Sequence, residues 1–243
     1  LSKKHLIVKK FSAFIVLILS FVACSPSEEE LFGEGIARLD SQDYTEAISY
    51  FERVIEINPN HTSAHNAKGV AYFELRNWDK AIEAFDASIA ADSSSYKPFF
   101  NRGNAYLEKQ KFTEAVIDYN YANGLDPQQK DIYYNRGLAL LGMESYEDAI
   151  VDFDMALQAN PNQPQVYFNK AKAQLGNNNP LGALESLTNS VALDQSNSAA
   201  YYLLGITQLS ALEQKEEGCA NLKMALSLGY SGAKDWLDKF CEN

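Results

Sequence analysis

The side chains here with the chemistry for a site are a histidine pair, clustered carboxylates and three cysteines. His61 and His65 stand four residues apart, the spacing at which two imidazoles on one helical face can ligate a metal. His61, however, follows Pro59-Asn60, which reads as a turn. The two are therefore not expected to share a face, and no third ligand lies near them in the sequence. Glu28–Glu30 and the pair Asp148/Asp152 could do acid–base work only if withdrawn from water. In their polar, helix-like surroundings they are expected to be solvated charges. The chain has no glycine-rich phosphate loop, no Gly-x-Ser-x-Gly turn and no Cys-x-x-Cys pairing. These residues predict no catalytic centre, no metal and no cofactor.

The first cysteine, Cys24, has a different context. Lys3, Lys4, Lys9 and Lys10 precede it, with no acidic residue among them, and then comes the uncharged run FSAFIVLILSFVA over 11–23. That run is too short for a membrane-spanning helix, which takes roughly 20 apolar residues. A basic start followed by a short apolar run is the pattern of a signal peptide. The sequence SFVAC resembles the lipobox of bacterial lipoproteins, although Phe21 stands where leucine is common. The resemblance implies removal of residues 1–23 and lipidation of Cys24. With Ser25 next, it also implies transfer to the outer membrane, on the periplasmic face or at the cell surface. Several acyl chains hold a protein to a membrane firmly where one binds marginally. The alternative is an ordinary signal peptide followed by a cysteine by chance. Residues 24–28 are expected to form the lipidated cysteine and an acidic tether.

Formal net charge is −11; without the leader's four lysines, 17 basic residues face 32 acidic ones, a balance of −15. So acidic a surface repels phosphate backbones and predicts no nucleic-acid partner.

The elements that position everything else follow from a repeat. FFNRGNAY at 99–106 returns as YYNRGLAL at 133–140 and YFNKAKAQ at 167–174. Gly35, Gly69, Gly103 and Gly137 recur every 34 residues, lapse to Ala171 and return at Gly205. Ala47, Ala81, Ala115, Ala149 and Ala183 keep the same period, as do Tyr44, Trp78, Phe112 and Tyr146, replaced at Pro180. Pro59, Pro127 and Pro161 close units, because proline cannot continue a helix. Within one unit two helical patterns flank a short polar turn; Ala81, Phe85 and Ser88 share a face of the second helix. The small residues let paired helices approach closely.

These columns resemble the tetratricopeptide repeat. Six copies start near residues 28, 62, 96, 130, 164 and 198, filling 29–229; the first lacks the tyrosine, having Arg38, and the fifth is degenerate at Gln174 and Pro180. The sixth runs one residue long, with Gly218 where alanine is expected. The resemblance implies an all-α, right-handed α-solenoid of six helical hairpins that binds protein or peptide rather than catalysing a reaction. Residues 230–243 read as a C-terminal capping helix, with Ala233, Trp236, Leu237 and Phe240 at helical spacing. Cys219 lies ten residues before Gly229 and Cys241 twelve after it. If the two helices fold back antiparallel, both cysteines sit about three turns, roughly 15 Å, from the bend and face each other. A disulfide is expected in an exported protein, closing a loop worth roughly 3 kcal/mol. Two buried thiols are the alternative.

If Phe99, Tyr133, Tyr167 and Tyr201 face the partner helix, the next residues, Phe100, Tyr134, Phe168 and Tyr202, point about 100° away. Asn104, Leu138 and Lys172 continue that stripe. In tetratricopeptide arrays this stripe lines the concave surface. Asn101, Asn135 and Asn169 match a ladder that, in related proteins, hydrogen-bonds the backbone of an extended peptide. The partner expected is a protein or extended peptide, with the membrane reached through the lipid anchor only and the chain a monomer or part of a hetero-complex. A carbohydrate or cell-wall ligand is the alternative, since aromatic stripes also stack on sugars. The aromatics could equally pack between repeats. The basic column Lys68, Arg102, Arg136 and Lys170 is expected to form inter-repeat ion pairs rather than to bind carboxylates.

Overall fold

The computed structural model describes residues 26–241; the leader 1–23 and Cys24 lie outside them. Among the described residues there are thirteen α-helices and no strand. They form six hairpins: α1 (Glu28–Asp40) with α2 (Tyr44–Ile57), α3 (Thr62–Glu74) with α4 (Trp78–Ala91), and α5 (Tyr96–Glu108) with α6 (Phe112–Leu125). Next come α7 (Lys130–Gly142) with α8 (Tyr146–Ala159), α9 (Pro164–Gly176) with α10 (Pro180–Leu193), and α11 (Ser198–Ala211) with α12 (Lys215–Ser227). A last helix, α13 (Ala233–Phe240), packs on α12. No helix among the described residues is long and apolar enough to cross a membrane.

The hairpin turn is the same in every repeat, although its residues are not. Gln42, Arg76, Gln110, Glu144, Asn178 and Glu213 all take positive φ, between 54° and 65°. In the first five repeats the residue after it donates its N–H back five positions, as Asn77 does to the Tyr72 carbonyl and Lys111 to that of Tyr106. This left-handed cap satisfies carbonyls that the end of the first helix would otherwise leave unpaired. The sixth turn holds the extra residue, where Gln214 reaches back to Gln208. Pro180, which breaks the aromatic column, opens α10 in its first turn, where a missing N–H costs nothing.

The first four hairpins close where a glycine on the first helix meets a ring sixteen residues later on the second, and in the sixth Gly205 meets Leu222. A Cβ at Gly69 would lie 2.4 Å from Phe85, and one at Gly137 2.8 Å from Phe153. Gly35 stands likewise against Phe51 and Gly103 against Tyr119. In the fifth repeat the pair is Ala171 and Leu187, both fully buried in one cluster; the smaller partner admits the methyl. Successive first helices also pack directly on one another, α1 on α3 through to α7 on α9, and no comparable packing joins neighbouring second helices. First helices therefore line the inner side of the curve.

Helix α1 begins at Glu28, the last residue of the stretch expected to be an acidic tether. Ser27 caps α1 in a capping box with Glu30, and Glu28 accepts a 2.9 Å hydrogen bond from Asn58. At the other end the structure joins Cys219 to Cys241, with Cα atoms 5.8 Å apart. Ala233 and Leu237 are buried against Leu222 and Ala225, so α13 covers the last repeat.

Candidate functional site

The inner stripe is only partly free. Phe100 packs its edge against Tyr119 and Tyr134 against Phe153, with centroids 6.0 and 6.2 Å apart. Both remain half-buried, as does Phe168, over which Lys172 Nζ sits at 5.9 Å. Tyr202 is stacked on Tyr230 at 4.4 Å, so the C-terminal segment closes that end of the stripe. Phe100 and Tyr134 thus pack against the second helix of their own repeat rather than between repeats, and part of each ring stays accessible.

The asparagines turn out to tie repeats together. Asn101 Nδ2 donates to Asn66 Oδ1 at 3.0 Å, and Asn135 Nδ2 to Asn104 Oδ1 at 3.0 Å. Asn169, which is buried, donates to the Tyr134 hydroxyl at 3.2 Å. Asn104 also accepts from the Tyr119 hydroxyl at 2.8 Å, and burial pushes that phenol's pKa up. Each ladder amide thereby spends one proton on the preceding repeat. A primary amide has two donors, so the pairing orients the group without exhausting it.

Between repeats four and five the stripe opens into a hollow of ≈ 470 Å³. Its walls include Leu138, Leu141, Asn169 and Lys172 from α7 and α9, with Phe112 and Tyr146 from the starts of α6 and α8. Gly142 and Gly176, which end the first helices, let two of its walls come close. A Cβ there would lie 2.6 Å from the Phe112 ring and 2.4 Å from that of Tyr146. One and two repeats before Gly142 the corresponding positions are Glu108 and Glu74. Sequence reasoning missed Phe112, Tyr146, Gly142 and Gly176; the signal was the loss of that glutamate column in two successive repeats. Of the expected residues, Leu138, Asn169 and Lys172 meet here, while Phe100 and Asn101 line a separate recess of ≈ 240 Å³ beside Tyr96 and Ile132.

The basic column is engaged in ion pairs, each partner sixteen residues away. Lys68 meets Glu52 at 3.1 Å and Lys170 meets Asp154 at 2.6 Å, both on the preceding repeat. Arg102 holds Asp118 through Nε and Nη2, both at 2.7 Å, and also Asp86; Arg136 holds Asp152 in the same fork. Arginine stands where the residue sixteen positions on is aspartate. Lysine stands where it is Ala84 or Ser186. A planar fork suits two carboxylates, a point charge one.

One expectation is corrected here. Asp152, read as a solvated charge, is 3 % exposed, and Asp118 2 %; Asp148 is exposed as expected. Burial pushes the Asp118 carboxyl above its ordinary value, against the lowering by Arg102. The hydrogen bond to Asp118 raises the Arg102 guanidinium further. These acids are withdrawn from water for structure, since both oxygens of each are held by an arginine and neither serves a cavity of the inner face. His61 caps α3, accepting from the Ala64 N–H through Nδ1, and His65 bonds the Pro59 carbonyl. Among the described residues no group of metal-ligating side chains converges.

Sequence-family models described as tetratricopeptide repeat match residues 32–96 and 131–163, and one described as TPR repeat matches 103–144. No curated protein matches in sequence. Among solved structures, YrrB, described as a TPR protein with an unusual peptide-binding site, aligns at 20% identity over 78% of this chain and 97% of its own, with TM-score 0.70. PilF of Pseudomonas aeruginosa aligns at 21% identity over 87% and 97%, with TM-score 0.71. MamA from Desulfovibrio magneticus RS-1 aligns at 16% identity over 70% and 96%, with TM-score 0.66. At such identities the likeness is one of fold.

Proposed function

We propose, from the premise that this chain carries tetratricopeptide repeats over most of residues 32–163, that it is a non-enzymatic scaffold whose inner face grips a protein or extended peptide. The observation that carries this reading is the hollow beside Gly142 and Gly176, walled by Phe112 and Tyr146. Its floor of leucines and ring edges buries an apolar side chain, and the oriented amide of Asn169 and the exposed Lys172 offer donors to main-chain or carboxylate oxygens. Concave, mostly apolar sites with a few placed polar groups are the usual form of binding pockets.

The anchoring part of the proposal rests on sequence alone. Cleavage before Cys24 and lipidation of its sulfur place the repeats at the outer membrane of a bacterial envelope, on a tether of few residues. Both parts are tested in intact cells. A photo-crosslinking residue at Leu138 is expected to trap a protein, and Phe168→Ala with Lys172→Glu to abolish the adduct. Recovery of cell-wall glycan in place of protein would transfer the inner face to carbohydrate. Labelled palmitate is expected in the wild-type chain and not in Cys24→Ser.

A further inference from the structure

The outer side of the third and fourth repeats carries a feature that the inner-face reading leaves unused. Ile117 and Tyr121 on α6, and Val151 and Met155 on α8, are 49, 60, 60 and 36 % exposed. They are i, i+4 pairs on each helix and occupy two columns of the repeat. The first column reads Ser49, Glu83, Ile117, Val151, Glu185, and the second Arg53, Ala87, Tyr121, Met155, Asn189. Only the third and fourth repeats place large apolar side chains at both, bracketed by exposed glutamates one repeat away on each side. Single exposed apolar residues are ordinary; here two successive second helices each present an exposed apolar pair with a polar rim.

One of the four, Val151, lines a groove between the two helices. Because α6 and α8 do not pack on each other, α7 is left as the floor between them. The cleft measures ≈ 320 Å³ and is walled by Val116 and Asn120 on one side and Asp148 and Val151 on the other, over Arg136 and Leu140. Arg136 is already taken by Asp152 and Asn120. The charge that remains for a partner is negative: Glu147 and Asp148 flank the patch, α6, α8 and α10 contain no lysine or arginine, and Lys111 just before α6 is paired with Glu114 at 3.8 Å. A second copy docked here face to face would set those acids against their own like.

We infer that the outer groove between α6 and α8 is a second docking surface, and that its partner is an amphipathic helix with an apolar ridge and lysine or arginine along its flanks. The ridge lies across Ile117, Tyr121, Val151 and Met155, and the basic flanks meet the acidic rim. Helix-in-groove recognition takes anchors at this spacing.

The probe is a synthetic amphipathic helix with a leucine ridge and lysine flanks, titrated by fluorescence anisotropy at physiological salt. Ile117→Glu with Val151→Glu copies the residues that α4 and α10 carry at the same register. It is expected to weaken binding about tenfold or more, although it adds two negative charges to a site for a cation. Met155→Asn, which copies Asn189, is expected to weaken it less. Unchanged or tighter binding to the glutamate variant would overturn the inference by reducing it to charge attraction. So would equal binding of a scrambled peptide of the same composition, or loss of binding in Phe168→Ala, which would move the helix to the inner face. A wild-type dimer dissolved by the glutamate pair would overturn it too, giving the groove to a second copy.

Discussion

At the scale of single residues the chain separates two kinds of ion pair that look alike in sequence. Arg102–Asp118 and Arg136–Asp152 hold a nearly buried carboxylate in a two-pronged grip, while Lys170–Asp154 joins a lysine to a half-exposed acid. Removing the arginine leaves an uncompensated buried charge, which costs about 3–5 kcal/mol; an exposed pair is worth about 0–1 kcal/mol. Arg102→Ala is therefore expected to destabilise the fold far more than Lys170→Ala in urea denaturation. The deficit also depends on pH. Burial already raises the Asp118 pKa above its unfolded value, and loss of the guanidinium raises it further. Stability from that group is then full below the unfolded pKa and lost as pH rises through the folded one. The gap between Arg102→Ala and wild type is expected to narrow as pH falls from neutral toward the carboxylate range. A gap that is constant with pH would mean that Asp118 finds another partner or water.

At the scale of the helix pair, glycine and ring are one choice made at two positions. Gly137 and Phe153 approach until no Cβ fits, and Ala171 with Leu187 solves the same contact with a larger first residue and a smaller second. Gly137→Ala is expected to cost about 1–3 kcal/mol through overpacking. Phe153→Leu costs something on its own by loosening the core. Together they are expected to destabilise less than the sum of the singles, by about 1 kcal/mol in an unfolding double-mutant cycle. Strict additivity would show that the helices do not set their distance through this pair. The turns show the opposite relation of sequence to structure. Six residues as different as Arg76, Glu144 and Asn178 share one left-handed conformation, because the helix on either side imposes it, so that no residue column announces the turn.

At the scale of the molecule, each repeat contacts only its neighbours, so stability is expected to be graded along the stack. The Cys219–Cys241 link spans 22 residues and ties α13 over the last repeat. A loop of that size is worth roughly 3 kcal/mol. Reduction is expected to raise hydrogen exchange in α12 and α13 first, leaving α5 to α8 protected. Exchange rising equally throughout would mean that the array unfolds as one unit.

The sequence alone determined the repeat, its period, the number of hairpins and their helical class, because small residues recurring every 34 residues mark where each pair of helices must approach closely. The stripe along the first helices was legible too, from the 3.6-residue period. What only the tertiary structure decided was which polar groups are spent inside the molecule. Asp152 reads as a solvated charge but is held inside its repeat by Arg136, and Asn101, Asn135 and Asn169 each give one of two amide protons to the preceding repeat. The hollow at Gly142 and Gly176 and the groove beside Val151 were equally out of reach of the sequence. A column of residues states what recurs, whereas a cavity is set by how far neighbouring helices stand apart, and that distance is fixed by contacts many residues away in the chain.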